Sequence, residues 1–225
     1  FLVNSTRVEV IARKQLHRSL FGEQHPFGRF AQASDYDRIT PDVLREFYRK
    51  YYHSGNCSVY VSGKVTPEII RCIETNLGDT PWGEIRQMPL LELIAPQQTT
   101  EKHVFVEKAD ALQSSLKMGG FMMDRNHPDF LKARVMVTLF GGYFGSRLMS
   151  NIREDKGYTY GIGAGIVNCP GSGVLAITTE ADNQYIDAII TEVYREMDRM
   201  CNDLAPQEEL EMVRSYMLGD FSRSY

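Results

Sequence analysis

Hydrophobic residues in this 225-residue chain follow a helical period in several stretches and a strand-like pattern in several others. Helices are expected from Thr6 to Gly22, Thr40 to about Tyr52, Thr66 to Gly78, His127 to Phe140, about Phe144 to Gly157, Gln184 to Cys201, and from Pro206 onward. Strands are expected over Cys57–Gly63, Lys102–Glu107, Ala111–Gly119, Tyr158–Val167 and Val174–Glu180. Paired strands followed by paired helices predict an α+β fold. We expect two layers, with a mixed or antiparallel sheet and helices packed on one face.

A stretch without periodicity divides the chain. Residues 79–100 carry three prolines and a polar QQTT sequence, which indicates a linker over 81–100 between 1–80 and 101–225. The part before it contains one recognisable strand, too few for a stable sheet. The chain starts at Phe1 rather than Met, and helical spacing continues to Phe221. We therefore expect a piece of a longer protein.

Two segments make sharper predictions. The helix that ends at Phe140 is apolar nearly all the way round, which predicts a central, buried helix. The strand Tyr158–Val167 alternates, so Tyr160 and Ile162 should share one face, while three glycines (Gly161, Gly163, Gly165) leave the other face bare. Because glycine weakens a strand, something should lie close against that face. A packed helix and a bound extended peptide are both compatible with the pattern.

Composition excludes several classes of function. The net charge is −4 and no basic cluster exceeds two residues, so a nucleic-acid partner is not expected. No apolar run reaches the roughly 18 residues that span a bilayer, and no signal-peptide pattern is recognised after Phe1. We therefore expect a soluble chain without a membrane partner. The four cysteines are scattered without metal-site spacing and are expected to be free thiols that leave the compartment unknown.

The residues that could carry chemistry are few. None of the five histidines has a second histidine at helical spacing, and no nucleophile motif appears. Arg153 lies in the last turn of a helix and Tyr160 in the strand that follows Gly157. Alone, each has an ordinary structural explanation. Arg153 would be a cation that complements the dipole at the helix C-terminus, and Tyr160 would be a core aromatic. Together, across one tight turn, a guanidinium and a phenol can hold the carbonyls of a peptide.

These residues support a resemblance. The resemblance lies in the segments 20–29 (LFGEQHPFGR), 39–70 and 127–165. It includes the R-x6-Y spacing of Arg153 and Tyr160 and the sequence SRL at Ser146–Leu148. In these segments the chain resembles the pitrilysin/insulinase family of zinc metallopeptidases, which includes processing peptidases. The resemblance implies that 1–80 is the C-terminal part of a first, zinc-bearing half-domain and that 101–225 is a second, substrate-binding half-domain. It also implies that Arg153 and Tyr160 bind the substrate backbone.

The family's H-x-x-E-H zinc motif is absent here. No metal ligand or catalytic residue is therefore expected in this chain. By resemblance, zinc belongs to the complete enzyme, where it would polarise the scissile carbonyl. The expected partners are a peptide or unfolded polypeptide substrate, the missing zinc-bearing half or a partner subunit, and a second copy of the chain in a homo-oligomer. Three hypotheses remain open: a fragment of a catalytic peptidase, a non-catalytic binding subunit, and an unrelated interaction module.

Overall fold

The computed structural model describes residues 2–84 and 94–223. Its α-helices are α1 (Leu2–Ser5), α2 (Val8–Phe21), α3 (Ala33–Asp37), α4 (Pro41–Tyr51), α5 (Pro67–Ile73), α6 (Phe130–Val137), α7 (Ile186–Asn202) and α8 (Gln207–Arg223). Three wider, π-helical segments cover Glu74–Gly78, Thr138–Gly142 and Met149–Asp155. The strands are β1 (Ser114–Met122), β2 (Thr159–Cys169) and β3 (Ser172–Ala181). The described residues form two compact units, a larger unit (within 1–30 and 93–225) and a smaller one (within 31–92).

The sheet of the larger unit is antiparallel. Its order is β1-β3-β2, so β3 is central and β2 lies at an edge among the described strands. The hairpin between β2 and β3 turns at Gly171, whose φ of 75° is a conformation that favours glycine. The α+β class with an antiparallel sheet is thus confirmed.

Most of the core of the larger unit lies on one face of this sheet. It is formed by residues of the three strands, α6, α7 and the two π-helical segments between α6 and β2. The buried members are Val137, Phe140, Leu148, Ile152, Ile162, Ala164, Ile177, Ala181, Ile189 and Val193. Burial of this many aliphatic and aromatic side chains is the main stabilising term for the unit.

Helix α2 covers part of the opposite face of the sheet. Its residue Phe21 packs with Cys169 and Val174, and the ring of Phe21 lies 5.3 Å from that of Phe121 on β1. Phe121 pairs with Val174 in the register, which places both on the face away from the main core. Burial in this second cluster raises the pKa of the Cys169 thiol. Helices therefore pack on both faces, rather than on one as expected.

The helix predicted to end at Phe140 is less central than its pattern indicates. Ala133, Val137 and Phe140 are buried, but Leu131 and Met136 on its other side are exposed. One side of this helix thus packs in the core, and the apolar residues on its other side remain exposed to solvent. The prediction of an entirely buried helix is wrong.

Two predicted strands do not form in the structure. Cys57–Gly63 contains no β-ladder, and neither does Lys102–Glu107. Tyr60 and Phe105, in the middle of these segments, are almost fully exposed. A strand needs a neighbour to satisfy its backbone groups, and the described residues supply none for these two.

The smaller unit has little interior of its own. Helix α4 begins as predicted at Pro41, with Thr40 Oγ1 accepting a hydrogen bond from Val43 N. Its aromatic residues pack mainly on each other, as in the stacked pair Tyr48 and Tyr52, and stay exposed. Among the described residues of this unit only His53 is buried.

The compact units differ from the predicted division at 81–100. Residues 2–30 group with the second half of the chain, because α2 packs on β1. Residues 85–93 of the predicted linker lie outside the described residues. The assignment of 1–80 and 101–225 to two half-domains stays a prediction.

The backbone of the segment Thr138–Gly142 lies close to β2. A Cβ added to Gly141 would lie 2.6 Å from Ala164 Cβ and 2.7 Å from Ala164 N. Both neighbours are fixed in a regular strand and cannot move aside alone. Glycine is therefore required here for space.

We predict that Gly141→Ala lowers the free energy of unfolding by about 1–3 kcal/mol, the usual cost of overpacking a core. The matched control is Gly165→Ala on β2, where an added Cβ would meet no atom within 4 Å. Urea unfolding followed by circular dichroism measures both. Equal stability of the two variants would contradict the close packing at Gly141.

Candidate peptide-binding site

Arg153 lies at the surface end of the π-helical segment Met149–Asp155. Its neighbour Ile152 is fully buried in the core, whereas the Arg153 side chain is 33% exposed. The guanidinium carbon lies 4.5 Å from the centre of the Phe144 ring. Its Nη1 is 3.8 Å from Glu154 Oε1, an ion pair at the surface that is worth little.

A glycine turn leads from this segment into β2. Gly157 has a φ of 66°, and its N–H donates to the Arg153 carbonyl oxygen at 3.1 Å. Tyr158 N then donates to the Ile152 carbonyl oxygen at 3.0 Å. The turn is therefore fixed by the carbonyl groups of the helix end it leaves. It also brings β2 beside the segment, where Ile162 N lies 3.4 Å from Met149 Sδ.

Tyr160 points into solvent because β2 contains a bulge. Thr159 pairs with Ala181, but the next regular pair is Ile162 with Thr179, so two residues of β2 oppose one of β3. Tyr160 is 92% exposed, while Ile162 is 3% exposed. The expectation that these two share a face is wrong. A bulge changes the direction of a side chain in this way.

Two threonine hydroxyls stabilise the bulge. Thr159 Oγ1 donates to the Glu180 carbonyl oxygen at 2.7 Å and accepts from Gly161 N at 3.1 Å. Thr179 Oγ1 lies 2.9 Å from both Thr159 Oγ1 and the Gly161 carbonyl oxygen. The backbone groups of Gly161 and the Glu180 carbonyl thus have partners at the bulge.

The glycine face of β2 is largely open. A Cβ added to Gly161 or Gly165 would meet no atom within 4 Å, and at Gly163 the nearest atom would be the Gly141 carbonyl oxygen at 3.6 Å. Within the described residues, then, no packed helix requires glycine at positions 161 and 165.

A buried polar network holds the Met149–Asp155 segment against α7. Asn151 Nδ2 donates to Glu196 Oε1 at 2.7 Å and lies 3.1 Å from Glu192 Oε2. Glu196 is 1% exposed, and Arg199 supplies its charge partner at 3.0 Å. A hydrogen bond to a buried carboxylate is stronger than one between neutral groups. This network fixes the helix end that carries Arg153.

A second ion pair attaches α8 to the same region. Arg147 donates to Glu209 from Nε and Nη2, at 2.8 Å each, with both side chains mostly buried. Hydrogen bonding to Glu209 raises the pKa of Arg147. Burial, together with the Glu209 charge, also raises the pKa of Tyr143, whose ring packs on Tyr216 of α8. The turn that begins at Tyr143 is thereby anchored to α8.

Among the residues that the structure describes, no three His, Cys, Asp or Glu side chains converge to hold a metal ion. His25 instead stacks on Phe21 at 4.9 Å, and its Nδ1 accepts from Phe27 N at 3.1 Å. The described residues thus do not fit a zinc site. None of the described helices is long and apolar enough to cross a membrane.

Comparison with protein families identifies the chain. The family described as the peptidase M16 inactive domain matches residues 38–217, most of the sequence. The chain belongs to this M16 inactive-domain family. The resemblance to zinc metallopeptidases of the pitrilysin type is therefore confirmed, and the hypothesis of an unrelated interaction module is wrong.

Relatives of this M16 domain are longer proteins. An "Uncharacterized zinc protease" of Rickettsia bellii is 26% identical over 208 residues, which cover 90% of this chain and 48% of the relative. A "Non-peptidase homolog YmxG" of Helicobacter pylori is 25% identical over 158 residues, 68% of this chain and 35% of the relative. The chain spans about half or less of the length of the curated relatives it matches.

The fold is that of solved M16 structures. The crystal structure of a peptidase M16 inactive domain from Pseudomonas fluorescens superposes with a TM-score of 0.81 at 23% identity. The match covers 97% of this chain and 53% of the other. At this identity the likeness establishes the fold alone.

The site of this M16 domain also contains residues that no sequence motif marks. Phe144 falls at the start of a predicted helix, and Asn151 and Glu196 lie inside predicted helices. Glu196 could have been found, since it follows Ile189 and Val193 on the inward line of α7 at helical spacing. An acidic residue in an apolar stripe requires a buried partner.

We predict that Asn151→Ala lowers the free energy of unfolding by about 1–3 kcal/mol, because it leaves a buried carboxylate short of a donor. The control is Asn202→Ala, whose amide bonds only to exposed Asp198 within α7. Its expected cost is below about 0.5 kcal/mol. Chemical unfolding of both variants checks this, and an unchanged midpoint for Asn151→Ala would refute the role of the network.

Proposed function

We propose that this chain is the substrate-binding portion of a zinc-dependent metalloendopeptidase and that it holds an extended peptide through Arg153 and Tyr160. The observation that carries the proposal is the bulge in β2, which leaves the Tyr160 phenol almost wholly in solvent. A large aromatic on a strand of the core sheet would otherwise be expected to pack. Its exposure leaves the hydroxyl free to donate to a ligand.

Arg153 supplies the second contact. Its guanidinium is part-exposed, and its described neighbours are one aromatic ring and one distant carboxylate. Its N–H groups are therefore available to carbonyl oxygens of a peptide, in the planar geometry that favours arginine. The open glycines that follow Tyr160 on β2 leave room for a peptide backbone to approach the strand closely.

Peptide hydrolysis requires groups beyond this chain. The described residues contain no metal cluster, so this chain's part in the reaction is to bind and orient the substrate. Within the complete protein, Tyr160 would donate to the scissile carbonyl or its oxyanion and Arg153 would hold a neighbouring carbonyl. The zinc would be held by the other half of a longer protein, consistent with the length of the relatives.

The exposed apolar segments fit such a partner. Tyr60 and Phe105 lie in segments that pair with no strand among the described residues, and the aromatic residues of α4 are mostly exposed. Exposed strand-like segments and contiguous apolar residues are typical of surfaces that another element covers. The proposed occupant is the zinc-bearing half or a partner subunit. Self-association of the isolated chain is the competing outcome.

We predict that Tyr160→Phe in the complete protein lowers kcat/KM for peptide cleavage about 10²–10³-fold, the usual cost of one oxyanion donor, while zinc content stays the same. Arg153→Gln should also lower kcat/KM. The control is Tyr194→Phe, an exposed tyrosine on α7. An unchanged kcat/KM for Tyr160→Phe would contradict the assigned role.

A second candidate is a non-catalytic subunit that binds peptide for an active partner. It is favoured by the "Non-peptidase homolog" among the relatives. The two candidates differ in one assay. A catalytic parent cleaves peptide in the complete protein and loses activity on metal chelation, whereas a binding subunit binds the same peptide without cleaving it.

We also predict that the purified 225-residue chain binds no stoichiometric zinc and cleaves no peptide, because its described residues bring no three ligands together. Atomic emission after dialysis against zinc, with a peptidase assay on the same sample, tests this. One tightly held zinc per chain would refute the proposal that this chain binds the peptide and that another part of the complete protein holds the zinc.

A further inference from the structure

Phe144 is a large aromatic residue held at the surface beside the candidate site. It is 61% exposed, and its ring lies under the guanidinium carbon of Arg153 at 4.5 Å. A single exposed aromatic side chain is ordinary. The contact with a candidate ligand-binding cation distinguishes Phe144 from the other exposed aromatic residues of the larger unit.

The turn that carries Phe144 is held in place by the residues on either side of it, Tyr143 and Ser146. Tyr143 packs on Tyr216 at 5.1 Å, and Ser146, which is buried, donates from its backbone N to the Tyr143 carbonyl oxygen at 3.1 Å. At Gly145 an added Cβ would lie 2.9 Å from the Tyr143 ring. Tyr143 is half-buried and Ser146 is buried, whereas Phe144 between them is exposed.

The interaction between the two side chains leaves Arg153 free to bind. An aromatic face attracts a cation through the ring quadrupole. It is not a conventional hydrogen-bond acceptor, so the guanidinium N–H groups keep their capacity for carbonyl oxygens. Glu154 would instead compete for those N–H groups, but at 3.8 Å and half-exposed it binds weakly.

We propose that Phe144 is a positioning residue, which holds the Arg153 guanidinium in the orientation that receives a peptide carbonyl. This inference rests on the proposed function of Arg153 and adds a residue to it. A long side chain such as that of arginine gives up rotamer freedom when a ligand immobilises it. A ring that restricts the side chain beforehand lowers that cost and tightens peptide binding.

The test combines a spectroscopic and a binding measurement on the 225-residue chain. The Arg153 Nε–H resonance, assigned with Arg153→Gln, reports the ring-current shift from Phe144. A synthetic, unstructured ten-residue peptide, titrated by fluorescence anisotropy, reports affinity. Variants are Phe144→Leu, Phe144→Trp, Arg153→Gln, the double variant Phe144→Leu with Arg153→Gln, and Glu154→Gln as the neighbouring control. Thermal unfolding confirms that each variant folds.

We expect Phe144→Leu to abolish the ring-current shift and to weaken peptide binding about two- to fivefold, the range of exposed cation–π contacts. Phe144→Trp should retain both properties, and Glu154→Gln should change affinity less than about twofold. In the Arg153→Gln background, Phe144→Leu should have no further effect, because its action passes through Arg153.

Each contrary outcome has a distinct meaning. If Arg153→Gln weakens binding but Phe144→Leu does not, or if Phe144→Leu weakens binding equally in the Arg153→Gln background, the positioning role is overturned and the proposed function stands. If the wild-type chain binds no peptide, or Arg153→Gln has no effect, the proposed function fails and the positioning role fails with it.

Discussion

The candidate site depends on hydrogen bonds from one amide, Asn151, to carboxylates inside the protein. Glu196 of α7 is 1% exposed, and a buried carboxylate without donors would be strongly destabilising. Asn151 Nδ2 and Arg199 Nη1 both donate to its Oε1. The segment is therefore fixed to α7 at one position along its length. Arg153 lies two residues beyond Asn151 in this segment, and its side chain is part-exposed.

The bulge in β2 places the Tyr160 side chain at the surface. Regular alternation would direct this side chain toward the face of Ile162 and into the core. The extra residue, stabilised by the hydroxyls of Thr159 and Thr179, turns it outward. Local irregularities of both elements, a π-helical segment and a bulge, thus meet at one turn. Such irregularities are common at functional sites, where they place side chains that regular geometry would bury.

The sequence was sufficient for most elements of the larger unit. Strong period and stop signals predicted α2, α7 and the β2–β3 hairpin closely, and Gly22 and Gly157 end their helices in the positive-φ conformation expected of glycine. It failed for Cys57–Gly63 and Lys102–Glu107. These segments have strand composition, but a strand forms only beside another strand, and no described strand pairs with them.

The site was predicted in part. Arg153 and Tyr160 could be chosen from their spacing, and the structure places both at the surface on adjoining elements. The orientation of Tyr160 could not be predicted, because a bulge depends on hydrogen bonds between residues far apart in sequence. Phe144 and Asn151 were missed for the same reason. Their contacts with Arg153 and with Glu192 and Glu196 arise only once the helices are packed.

Membership in the M16 inactive-domain family fixes the fold and leaves the ligand to experiment. The most direct measurement is a ¹⁵N chemical-shift titration of the 225-residue chain with an unstructured peptide. The account predicts that the largest shifts occur at residues 153–165, centred on Arg153 and the Tyr160–Gly161 bulge. Shifts confined to other surfaces, or a peptide that saturates without moving these resonances, would contradict it.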